Sequence, residues 1–234
     1  MKTKQIIATA LVGTALYLAY KKYKNQPTKP KSLFNGSNFC LAKNNANNID
    51  DFNSSVKNVV NATTRAFGVL TIEQEKNIGY IIDAFNKLGD CDNAKLAYIL
   101  ATAWHESRFR TVRECFAKND AAARACVSNR AYGKVVNGQV YYGRGFSQLT
   151  WDYNYKTFGQ LLGIDLYNNP DLAMNPVYAA EILVIGMVEG RFTYKKLEKY
   201  ITPQQWDFFN ARRTVNALDK ASQIKGYAEK IINA

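Results

Sequence analysis

A chain of 234 residues, 47% of them apolar, is long enough for one sizeable core and an appendage, so one catalytic-size domain is the expectation. Its formal charge of +12 calls for an anionic partner: nucleic acid, anionic lipid or an acidic cell-wall polymer. Nucleic acid is set aside, because no Lys/Arg run resembles a basic arm, no zinc-finger spacing occurs, and the 15 Tyr are scattered through periodic segments that favour packing.

In chain order, the first feature is the uncharged run Ile6 to Tyr20, flanked by Lys2 and Lys4 before it and by Lys21, Lys22 and Lys24 after it. It is shorter than the ~20 residues that usually span a bilayer, but snorkelling lysines extend its reach. Residues 1–24 read as an uncleaved membrane anchor with basic flanks. A signal peptide is the competing reading, disfavoured because no small-x-small cleavage site follows the run. Residues 25–68, with Pro27, Pro30, Gly36 and the asparagine-rich stretch 44–64, read as a linker that gains some order near the domain. Residues 69–234 then form the folded domain.

That domain is punctuated as helices. Thr71 with Gln74 fits a capping box, and Ile78, Ile81, Ile82 and Phe85 follow at helical spacing until Gly89. Asp92 or Asn93 caps a second helix with Leu96, Ile99, Leu100, Ala103 and Trp104 on its apolar face. Asn175-Pro176 opens another helix ending near Gly190, Thr202-Pro203 with Gln205 opens the next, and Ile224, Tyr227, Ala228 and Ile231 mark the last. The exception is Val135 to Tyr142, where Asn137-Gly138 between β-prone residues predicts a hairpin. The fold class is therefore α+β, mainly α-helical, with one small β element. Among Cys40, Cys91, Cys115 and Cys126 three pairings exist; Cys115 with Cys126 would close a short loop, and free thiols are the alternative in a reducing compartment.

His105, the sole histidine, directly precedes Glu106. Glu106 lies three residues after Ala103 and seven after Ile99, which puts its side chain within about 20° of the buried stripe. Desolvation at that apolar edge favours the neutral acid, as a general acid requires. The bland alternative is a helix-terminal Glu paired with Arg108 or Arg110, and His105 by position is a packing histidine. A zinc protease helix needs a second histidine, so no metal is expected; the sole histidine and the lack of a Gly-x-Ser-x-Gly elbow argue against a Ser/His or Cys/His hydrolase, and no cofactor is expected. Acid–base hydrolysis needs a second carboxylate. Glu114 is the nearest, but in one unbroken helix it would stand ~12 Å along the axis and about 80° round it. β-branched Thr111-Val112 after Arg110 suggest that the helix ends and the chain turns back, which could bring the two carboxyls to the ~6.5–9.5 Å of an inverting glycosidase. In Val140 to Tyr155, Gly143 and Gly145 permit a tight backbone, and Gln148, Thr150, Asp152 and Asn154 alternate with Leu149, Trp151, Tyr153 and Tyr155. Amides and hydroxyls between aromatic faces suit a polysaccharide.

With "HES" at 105 to 107, "YGRGFSQLTWDYNY" at 142 to 155, "NNPDLAMNP" at 168 to 176 and "RRTVNAL" at 212 to 218, the chain resembles the family 19 glycoside hydrolases, the chitinase group that includes many bacteriophage endolysins. The resemblance runs from about Ile72 to the C-terminus and implies a lysozyme-like domain with a deep cleft that cleaves β-1,4 links with inversion. It implies Glu106 as general acid and Glu114 as water-activating base. Gln148, Thr150 and Asn154 match substrate-contacting positions, Asn216 matches the late Asn of an N-G motif whose glycine is Ala217 here, and His105 and Tyr142 within the matching motifs are expected to line the site. The short loop before the YGRG motif and the cationic, membrane-proximal design point to peptidoglycan as substrate. The expectation is a virus-encoded, membrane-anchored muramidase facing the cell wall. Chitinase, lytic transglycosylase and a non-catalytic wall-binding protein are the alternatives.

Overall fold

The computed structural model describes residues 49–234. The anchor expected at 6–20, the first part of the expected linker and Cys40 lie outside the described residues. Among those described, no helix is long and apolar enough to cross a membrane.

Helix α1, Ile49–Phe67, occupies the end of the stretch read as a linker, which corrects that expectation. Asparagine content hid a helical stripe: Val56 and Thr63 are buried, and Val59, Val60 and Phe67 pack against the main core. Phe67 stacks on Trp104 with ring centroids 4.4 Å apart and meets Tyr227 edge-on at 5.4 Å. The packed domain thus begins well before residue 69.

Helix α2, Ile72–Leu88, starts at the expected capping box. Thr71 Oγ1 accepts from the Gln74 N–H at 3.2 Å, and Gln74 Oε1 accepts from the Thr71 N–H at 2.9 Å. Asp92 caps α3, Asn93–Ser107, by accepting from the N–H groups of Ala94 and Lys95. Helices α4 (Asp120–Val127) and α5 (Asp152–Leu162) are shorter. Helix α6, Pro176–Val188, opens at the expected Asn175-Pro176, and α7, Ala221–Ile232, is the last. Residues Ala179 to Met187 of α6 are buried in succession, the pattern of a helix enclosed on every side. Its Leu183, Val184 and Met187 join the core built on α2, α3 and α7, whereas Ile182 and Ile185 join a second cluster with Tyr141, Tyr155, Phe158 and Leu162.

Strands are short. β1 (Val112–Arg113) pairs antiparallel with β2 (Arg144–Gly145), Val112 opposite Gly145. The turn expected at Asn137-Gly138 forms, with both residues left-handed at φ 48° and 71° and a Val136–Gln139 bridge across it. The helix expected to open at Thr202-Pro203 does not form. Instead, β3 (Ile201–Thr202) and β4 (Gln205–Trp206) make an antiparallel hairpin around Pro203 and Gln204. Ile201 and Phe208 both reach the core, and the Asp207 N–H donates to Tyr200 O at 2.9 Å, so the chain doubles back where a helix would carry it onward.

The correction at α1 carries a test. Phe67 is half-buried, so Phe67→Ala should cost about 2 kcal/mol, below the ~3–5 kcal/mol of a fully buried Phe, and lower Tm by about 4–8 °C in a thermal melt. An unchanged Tm would return α1 to the status of a linker.

Candidate active site

Helix α3 stops at Ser107, three residues earlier than the position of Arg110 suggested, because Arg108 and Phe109 are both left-handed at φ 54°. Glu106 therefore sits on the last turn. Its side chain keeps 20% of its exposure, and its Oε1 accepts from Arg212 Nη1 at 2.8 Å. The expected bare apolar edge is thus replaced by a counter-charge. Arg212 is itself buried in the 3-10 helix Asn210–Thr214, where its Nε donates to Asp219 O at 3.0 Å. Asn216 follows in the same loop: its N–H donates to Arg212 O at 3.0 Å, and its Oδ1 accepts from the Ala217 N–H at 2.8 Å. His105 is half-buried with its ring 6.4 Å from that of Tyr227. Burial holds its imidazole below the ordinary pKa of 6.5, aided by Arg212 and Arg108 and opposed by Glu106.

Beyond the left-handed turn, β1 delivers Glu114 to a 3-10 turn, Glu114–Phe116. The Glu114 N–H donates to Gly143 O at 2.7 Å, and the Gly143 N–H returns a bond to Glu114 Oε2 at 2.9 Å. Tyr132 Oη donates to Oε1 at 2.6 Å, and Arg130 Nε stands 3.7 Å from the same oxygen. A Cβ at Gly143 would stand 2.8 Å from Gln148 Oε1 and 3.3 Å from Glu114 Oε2, so a side chain there would press on the Gln148 amide and crowd the carboxylate. Next to Glu114, Cys115 is bonded to Cys126, which settles that pair as a disulfide; Cys91 is disulfide-bonded too.

The remaining expected residues split. Gln148 Nε2 donates to Val112 O at 2.9 Å and Gly145 O at 3.1 Å, clamping β1 to β2. Thr150 Oγ1 donates to Gln148 O and Asn154 Nδ2 to Thr150 O, both at 2.8 Å, so these half-buried groups order each other. Tyr142 corrects its expected place in a substrate site. It is fully buried, its hydroxyl donates to Asp120 Oδ1 at 2.8 Å, and the Arg144 guanidinium lies 3.5 Å above its ring. Its work is structural.

Arg144, 1% exposed, donates to Asp171 Oδ1 at 2.9 Å, Asp120 Oδ1 at 3.2 Å and Val140 O at 3.0 Å, fixing the segment that carries Gly143. Trp151 and Tyr153 stay exposed and stacked, 6.0 Å between centroids, and Trp151 meets Tyr132 edge-on at 5.4 Å. Two groups result: Glu106 with His105, Arg212 and Asn216, and Glu114 with Tyr132, Arg130, Gly143 and Gln148. Arg212, Tyr132, Arg130 and Arg144 were not singled out from sequence. Arg212 and Arg144 lie inside the "RRTVNAL" and "YGRG" segments, but nothing in the letters marks which arginines are buried.

Residues 50–185 match the family described as chitinase class I, glycoside hydrolase family 19. Basic endochitinase B of Arabidopsis thaliana is 41% identical over 66 residues, 28% of this chain and 20% of that protein. The inactive chitinase-like protein 1 of Hevea brasiliensis is 53% identical over 51 residues, 22% of this chain and 16% of that protein. Chitinase C from Streptomyces griseus HUT6037 aligns in structure over 77% of this chain and 66% of its own, at 22% identity and a TM-score of 0.42. The chain spans 11% to 38% of the length of the curated relatives it matches.

Because burial disfavours the charged imidazole in the fold, the unfolded chain takes up this proton first as pH falls below about 6.5. The stability tied to neutral His105 is complete above that pH and is lost below it. Removing the group by His105→Gln should flatten the fall of Tm from about pH 6.5 to 5 relative to the unchanged chain; parallel curves would show that the imidazole titrates freely. Reopening the Cys115–Cys126 ring by serine substitution at both positions should cost about 2–3 kcal/mol by chemical denaturation.

Proposed function

The chain belongs to glycoside hydrolase family 19, the class I chitinases, and on that premise we propose that its domain hydrolyses the β-1,4 links of an amino-sugar polymer, with chitin as substrate. Glu106 protonates the leaving oxygen, and Glu114 draws a proton from a water on the opposite face of the sugar. The observation that carries this reading is the pair of carboxylates at either end of one chain reversal, each with a fixed partner: Arg212 on Glu106, Tyr132 and Gly143 on Glu114. Arg212 stabilises the carboxylate that Glu106 becomes once its proton has gone. Exposed Trp151 and Tyr153 offer apolar faces to sugar rings.

Apart from the inactive chitinase-like protein 1, the curated relatives carry the names of endochitinases, which supports chitin above the peptidoglycan expected from sequence. Peptidoglycan remains as a second reading because a charge of +12 suits an acidic wall polymer better than neutral chitin. With it go the endolysin-type role, the wall-facing location and the anchor at residues 6–20, which flotation of the full chain with lipid vesicles would test.

Digestion of chitin and of peptidoglycan by the full chain, followed by mass spectrometry, separates the two substrates and identifies a lytic transglycosylase by its anhydro sugars. Glu106→Gln should lower kcat by about 10²–10⁴-fold with glycan binding retained. The first product seen by NMR should carry the inverted anomer, and azide should partly restore Glu114→Ala. Near-normal turnover by Glu106→Gln, or a retained anomer, would sink the mechanism.

A further inference from the structure

The geometry points to Tyr132 as a positioning residue that links sugar binding on Trp151 to the orientation of the Glu114 carboxylate, an inference resting on the proposed role of Glu114. Its hydroxyl donates to Glu114 Oε1 at 2.6 Å, while its ring meets Trp151 in a T-shaped contact at a centroid distance of 5.4 Å and an interplanar angle of 72°. Trp151 is 38% exposed and stacked on Tyr153, so a sugar seated on this indole bears on the ring that holds the carboxylate.

The backbone of Tyr132 is itself held in place. It lies in the 3-10 turn Ala131–Gly133, where the Arg130 N–H donates to Val127 O at 2.8 Å, and Gly133 packs so closely on the end of α4 that a Cβ would fall 1.8 Å from Val127 O. Burial first, and the Glu114 carboxylate next, push the Tyr132 hydroxyl up to about 12, so it remains a donor at any working pH. With Tyr132 on one carboxylate oxygen and the Gly143 N–H on the other, the plane of the carboxylate is set. Each oxygen keeps a second lone pair with which to accept from a water.

The test compares the full-length chain with Tyr132→Phe, Tyr132→Leu and Glu114→Gln, using chitohexaose and soluble peptidoglycan for turnover and calorimetric binding of chitotetraose. Tyr132→Phe keeps the ring on Trp151 and loses only the hydroxyl. It should lower kcat about 10- to 100-fold, the effect of one hydrogen bond to a charged group, with KM and chitotetraose affinity unchanged and the fold retained at a modestly lower Tm. Tyr132→Leu should add a several-fold weaker chitotetraose affinity. Full kcat in Tyr132→Phe beside an inactive Glu114→Gln overturns the coupling alone, as does a loss confined to KM. Full activity in Glu114→Gln, or no turnover of either polymer by the unchanged chain, removes the reading of Glu114 and the coupling with it.

Discussion

Everything around the two carboxylates depends on the left-handed turn at Arg108 and Phe109. Two non-glycine residues in that conformation cost about 1–2 kcal/mol each. The surroundings offset this: Gln74 Nε2 donates to Arg108 O at 3.0 Å, Asn77 Nδ2 donates to Phe109 O at 2.8 Å, and the Phe109 ring is fully buried 5.5 Å from Trp104. Helix α2 thus clamps the end of α3. Without the clamp the helix would run on through Arg110, and Glu114 would be carried along its axis away from Glu106. With it, Glu106 stays on the last turn while the chain reverses into β1 and its short ribbon with β2.

Buried guanidinium groups then fix what the turn has placed. Arg144 is satisfied by two carboxylates and a backbone carbonyl, and Arg212 by Glu106 and Asp219 O. The carboxylates stay partly open to solvent, so these pairs add little net stability, but losing a partner leaves a buried guanidinium uncompensated. Such pairs therefore act as registers: a loop displaced from its arginine is penalised more than a loop displaced from an apolar wall. Both candidate catalytic segments are held this way, Glu106 directly and Glu114 through Gly143.

Local signals were legible in the letters and long-range ones were not. The capping box at Thr71, the cap at Asp92 and the start at Asn175-Pro176 involve partners within a few residues, and each forms as read. Helix α1 was hidden because Ser54 and Ser55 before Val56, and Asn58 and Asn61 between Val56, Val59, Val60 and Thr63, resemble a tether in composition while the apolar residues keep helical spacing. Thr202-Pro203 opens a helix or a tight turn equally well; the burial of Ile201 and Phe208 decides, and burial is a property of the whole fold. The same holds at the site. Glu106 was found from its place on a helix, but its partner Arg212 is 106 residues away. Tyr142 shares its motif with Gly143, yet only packing shows that its ring lies beneath Arg144 rather than toward substrate.

The turn at Asn137-Gly138 lies between Tyr132 and Gly143, two of the groups that hold Glu114, yet belongs to neither. A Cβ at Gly138 meets nothing within 4 Å, and Asn137 and Gln139 tie the tip to Asn168. Extra residues at this tip would disturb those surface bonds and cost only ~0.6 kcal/mol for each doubling of loop length. The tip is thus a graft point. Insertions there would lengthen the tip while the bonds of Tyr132 and Gly143 to Glu114 stay as they are.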